Sequence, residues 1–160
     1  MKPYSSWTRF VTTNRNNLLA KVKEFAERTI KGSASKISKD QYLILCESQG
    51  IDPDPEVMAK FIEVNDLPEI VQIAMEIYNN LTDTYVPGEI PIFIGKDKTA
   101  LPFLYETFGI PEDLKLFVLQ VINIFDSQAV ELSRKKVEQL NKKKNNRIPQ
   151  GKPHGRPGAG

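Results

Sequence analysis

Cysteine and histidine occur once each in this chain of 160 residues, as Cys46 and His154. One cysteine cannot form an intrachain disulfide, nor can it build a zinc site of several thiolates, and such usage suits a reducing compartment. One histidine, far along the chain in a stretch of glycine and proline, cannot be held as the base for a Cys46 nucleophile. Cys46 therefore reads as a buried structural thiol on the apolar side of a helix. No apolar run approaches the roughly 20 residues that span a bilayer. The first residues, MKPYSSWTRFVTTNRNN, lack the continuous apolar core of a secretion signal. No Ser-centred elbow and no glycine-rich nucleotide loop is present, so the expected function is non-enzymatic, with no cofactor and no metal.

What is present is segregated charge. Residues 1–32 carry seven Lys/Arg against Glu24 and Glu27. Residues 33–92 carry three basic side chains against eleven acids, and residues 131–160 carry nine against two. An acidic middle between basic ends can attract partners of either sign, or draw the chain's own ends onto its middle.

Periodicity and punctuation predict helices. Leu18, Leu19, Val22, Phe25, Ala26 and Ile30 recur at three and four, giving an amphipathic helix over 14–30, closed by the linker Gly32-Ser33-Ala34-Ser35. Ser38-Lys39-Asp40-Gln41 is a capping box, and Gly50 stands where a left-handed cap ends a helix. Asp54-Pro55 starts a further helix of about ten residues, with Val57, Met58, Phe61 and Ile62 inward. Pro68 to Leu81 carries a wide apolar face. Thr82 to Pro91 reads as a loop, and Ile92-Phe93-Ile94 as a short extended piece with at most a small edge pairing. The last helix runs from about Pro111 to Lys144. Its stripe is Leu114, Val118, Val121, Ile122, Phe125, Ala129, Leu132, Val137 and Leu140, and its second half thins to a basic face that should project beyond the body. Residues 146–160 are too poor in apolar groups to order themselves. The expected fold is all-α, a compact bundle of five or six helices with a long basic C-terminal helix and a disordered tail. Its organisation is an amphipathic segment over 1–32, a helical core over 36–130, and a basic extension with tail over 131–160.

Gly95-Lys96-Asp97-Lys98-Thr99 invites comparison with a phosphate loop. A Walker loop requires G-x-x-x-x-G-K-[ST], but Asp97 follows Gly95-Lys96, and Ile90 stands where the first glycine belongs. The better reading is that Asp97 or Thr99 caps a helix with Pro102 in its first turn, ended by Gly109. The acids Asp52, Asp54, Glu56, Glu63, Asp66 and Glu69 lack calcium-loop spacing and read as residues of helix starts.

The functional candidates are cations and aromatics. Arg134, Lys135, Lys136, Lys142, Lys143, Lys144, Arg147, Lys152 and Arg156 form a basic segment able to bind DNA, RNA or an acidic partner through counterion release. The bland reading is a solvated helix end. No aromatic lies among them, so base stacking is not indicated. Trp7 and Phe10 either pack on the bundle or enter a partner.

The stretches SKDQYLILCESQGIDPDPE, LPEIVQIAMEIYNNL and FIGKDKTALPFLYETFGI resemble small uncharacterised accessory proteins of tailed bacteriophages, over roughly 38–130. The resemblance is one of layout, and none of its motifs is catalytic. It implies a role in virion morphogenesis, through tail assembly or genome packaging, with a phage structural or packaging protein as partner. The implied location is the host cytoplasm or the virion. The alternative reading is a nucleic-acid-binding regulator of transcription. A small hydrolase would need a pocket gathering carboxylates distant in sequence. No membrane partner is expected, and the oligomeric state is not legible.

Overall fold

The computed structural model describes residues 5–31, 37–59, 61 and 63–147. The linker 32–35, Ile62, and residues 148–160 with His154, Lys152 and Arg156 lie outside the described residues.

Helix α1 (Ser5–Ala26) starts well before Asn14 and continues into a π-helical turn, Glu27–Lys31. Trp7 and Phe10 therefore lie on this helix rather than ahead of it. Helix α2 (Lys39–Gln49) has the expected capping box. The Ser38 hydroxyl accepts from the Gln41 amide at 3.2 Å, and the Ser38 amide donates to the Gln41 side chain at 3.0 Å. Gly50 (φ 63°) ends it in the left-handed conformation. Helix α3 is only Pro55–Met58. Asp54 caps it as expected, its carboxylate accepting from Glu56 at 2.8 Å. The ten-residue helix fails because tertiary partners claim the following residues. Phe61 sets its ring 5.7 Å from that of Tyr42, and Glu63 reaches Lys39 at 3.4 Å. A single 3-10 turn, Val64–Asp66, leads to α4 (Glu69–Asn80).

The all-α expectation requires a correction. Thr82 to Val86 is a strand, β1, not a loop, and it pairs antiparallel with β2 (Ile92–Asp97). The register passes from Thr84↔Gly95 to Tyr85↔Phe93, so Ile94 is an extra residue and β2 bulges there. Thr82, Thr84, Tyr85 and Val86 favour extended backbone, but Asp83 and the turn residues that follow outweigh them in a sequence reading. Helix α5 is Leu101–Thr107 and helix α6 is Glu112–Arg147. Gly109 (φ 65°) closes α5, and Ile110 donates back to the Tyr105 carbonyl at 2.8 Å.

The core joins α1, α4, α5 and α6. Val22, Ala26, Ile70, Val71, Ala74, Ile77, Val118, Val121 and Ile122 are fully covered. Phe125 is the junction, edge-on to Phe25 of α1 at 6.2 Å and tilted against Tyr78 of α4 at 5.9 Å. Fully burying side chains of this size contributes about 1.5–3 kcal/mol each. Among the described residues, none of 37–66 adds a side chain to this core; Cys46, buried as expected, lies apart from it. Half-buried Trp7 packs against the core, while Phe10, its edge-on neighbour at 5.4 Å, stays exposed.

Helix α6 is a rail about 54 Å long, at 1.5 Å per residue. Its first half is buried by α1 and α4. The hairpin then runs antiparallel along it: Lys96 meets Asp126, Phe93 meets Ser133, and Glu89 meets Lys144. Steps of seven residues on a helix and three on a strand both cover about 10 Å, so the first two contacts keep pace. The second half of α6 is thus accompanied by the hairpin as far as Lys144.

Candidate functional site

The Gly95–Thr99 segment is a docking joint. Gly95 has φ 124°, and a Cβ atom built on it would stand 2.8 Å from Asp126 Oδ2. Only glycine allows both that backbone and that approach. The Lys96 amide donates to Asp126 Oδ1 at 2.9 Å, and the Lys98 ammonium to Asp126 Oδ2 at 2.8 Å. The buried Asp126 carboxylate therefore has a backbone donor and a charged donor, which offset its removal from water.

The Lys96 side chain is also engaged. Its Nζ lies 2.6 Å from Asp83 Oδ1, donates to the Leu81 carbonyl at 3.2 Å, and sits 5.0 Å from the centre of the Tyr78 ring. Asp83 is held below the ordinary carboxylate range, chiefly by the Lys96 hydrogen bond. The Tyr78 phenol is pushed up to about 12, first by burial and then by the negative charges of Asp126 and Asp83.

The expected helix cap is corrected at the same place. Asp97 Oδ1 accepts from the Thr99 amide at 2.8 Å and from its hydroxyl at 2.6 Å, closing a turn on itself. These bonds lower its pKa. Helix α5 instead begins after Ala100, with no side-chain cap. Pro102 does fall in its first turn. Both lysine amines thus face carboxylates of their own chain, a geometry that serves docking of the hairpin rather than capture of phosphate.

The acids of the middle are dispersed. Asp54 caps α3, Asp66 accepts from the Glu63 amide at 2.9 Å, and Glu63 faces Lys39. Among the described residues no three acidic, cysteine or histidine side chains converge as metal ligands would. No helix among them is long and apolar enough to cross a membrane.

The cations of α6 fall into two groups. Lys135 pairs with Glu131 at 2.9 Å, and Lys144 with Glu89 at 2.8 Å, drawing the Glu89 pKa down. Arg134, Lys136, Lys142, Lys143 and Arg147 are exposed, with no ion-pair partner among the described residues. Lys136, Lys143 and Arg147 follow one another at seven and four, so they share a face of the helix. Leu140, on that side and exposed, is the outermost apolar residue of the stripe. Sequence reasoning found these cations but not the Asp126 joint. A lone aspartate in an apolar helix was the available signal.

Comparison with protein-family models, with curated proteins and with solved structures finds no match.

Proposed function

We propose that this chain is a non-enzymatic accessory protein of a tailed bacteriophage, acting by binding during virion morphogenesis, in tail assembly or genome packaging. The protein body meets a structural or packaging protein, and the cationic end of α6 touches nucleic acid or an acidic partner. The observation that carries the binding reading is the face of Lys136, Lys143 and Arg147, exposed on a helix where Lys115, Lys135 and Lys144 instead answer carboxylates of the same chain. The viral setting rests on the layout resemblance over 38–130.

Affinity capture from infected cells, with the full-length chain at low salt, is expected to recover a structural or packaging protein; recovery of none counts against the reading. DNA binding across a salt series tests the arm. Binding should fall steeply with salt, and each of Lys136→Glu, Lys143→Glu and Arg147→Glu should lower the logarithmic slope by about 1. The absence of aromatics among these cations favours contact with phosphates over bases. In the second reading, a transcription regulator, this arm is the principal contact, and deletion of 134–160 abolishes all nucleic-acid binding. An absence of binding at low salt removes that second reading.

A further inference from the structure

Two exposed helical faces in this chain have one geometry and opposite charge. On α2, Asp40, Ile44 and Glu47 follow one another at four and three residues. On α6, Lys136, Leu140 and Lys143 do the same. In each, an aliphatic side chain stands between two charges about 6 Å and 4.5 Å away along the helix axis. Ile44 is 65% exposed and Leu140 46%, so neither is covered by the described residues. The four flanking charges are exposed, with no ion-pair partner among the described residues. The surroundings extend the match. Residues 37–66 hold seven acids against Lys39 and Lys60, and residues 134–147 hold seven cations against Glu138. Leu45 and Ile51 widen the apolar patch on the acidic side, and half-buried Val137 widens it on the basic side.

We propose that the Lys136–Leu140–Lys143 face of α6 in one copy seats on the Asp40–Ile44–Glu47 face of α2 in a second copy, so that the chain associates head to tail. The occupant is a second copy because one sequence carries both halves at matched spacing. The chain's own α6 does not supply it, since Ile44 and Leu140 are both exposed in the same molecule. Residues 148–160 offer cations but only Ile148 and Ala159 as aliphatic groups. The interface is heterologous, so each copy keeps one free half and assembly continues into chains or closes into a ring. It combines burial of two aliphatic side chains with exposed ion pairs, which makes it weak and salt-sensitive.

The proposal is independent of the nucleic-acid reading but uses the same arm, so the test is made with the full chain freed of nucleic acid. Sedimentation velocity of the wild type should show association that rises with protein concentration. The apparent association constant should fall about tenfold or more between ~0.05 M and ~0.5 M salt. Ile44→Asp and Leu140→Asp alter exposed positions and should each be folded by circular dichroism yet monomeric. Mixed together, they should form a one-to-one dimer and nothing larger, because each retains the half that the other has lost. A wild type that stays monomeric at low salt overturns the proposal. So does association that survives either substitution, or a mixture of the two variants that remains monomeric. Lys143→Glu gives a second reading of the basic half, expected to weaken association at low salt; no change in that variant also counts against it.

Discussion

Gly95 and Asp126, thirty-one residues apart in the chain, are so close that a Cβ atom on the glycine would stand 2.8 Å from the carboxylate oxygen Oδ2. The contact seats the β1–β2 hairpin on α6. An isolated two-stranded hairpin is marginal in water, so its order depends on this support.

Gly95→Ala should therefore act on the hairpin before the bundle. The methyl group meets Asp126, and φ 124° is unfavourable for any L side chain. The expected cost is about 2 kcal/mol. Asp126→Asn removes a charge partner of Lys98 and should cost about as much. Because the two residues touch, the double variant should lose less than the sum of the single losses. Urea unfolding with amide exchange over 82–97 reads both effects. Additive losses, or exchange unchanged in the hairpin, would show that the contact does not hold it.

Acid should release the same element. Asp83, Glu89 and Asp97 all have depressed pKa values, the first through Lys96, the second through Lys144 and the third through Thr99. A carboxyl depressed in the folded state contributes stability above its unfolded pKa and loses it as pH falls through the folded one. Below about pH 4 the hairpin amides should exchange faster while those of α4 and the first half of α6 remain protected. Simultaneous loss of protection throughout would contradict this order.

Alkali should report on Tyr78. Its phenol, raised to about 12 by burial and by Asp126 and Asp83, should ionise well after an ordinary tyrosine. The sign is that of a raised group: its contribution is complete below the unfolded value near 10 and is lost as pH rises through 12. Burial raises Tyr105 as well, so ultraviolet titration of phenolate, compared with Tyr78→Phe, should show one late-titrating tyrosine fewer in the variant.

Gln128 offers a stabilising change. It is buried on α6, and its Oε1 finds no hydrogen-bond partner among the described residues. Gln128→Met keeps the length of the side chain and removes the unpaired carbonyl, so thermal unfolding should shift upward by the equivalent of about 1 kcal/mol. A lower melting temperature would mean that the amide makes a contact worth more than its burial costs.

Local chemistry settled much of this molecule from sequence alone. Ser38 with Gln41, Gly50, Asp54-Pro55 and Gly109 act within a few residues of themselves, so a capping box, a left-handed stop or a proline at a first turn can be read without knowing what lies nearby. The apolar stripes of α1, α4 and α6 were legible for a related reason, since helical period is a property of one segment. Tertiary structure decided the rest. The Thr82–Val86 strand exists because β2 lies beside it, itself seated on α6, and neither partner is visible in five residues of mixed propensity. The helix after Pro55 stops early because Tyr42 takes Phe61 and Lys39 takes Glu63. Lys96 and Lys98 form a joint for one reason: the carboxylate that takes the Lys96 amide and the Lys98 ammonium, Asp126, is brought to them only when the chain has folded.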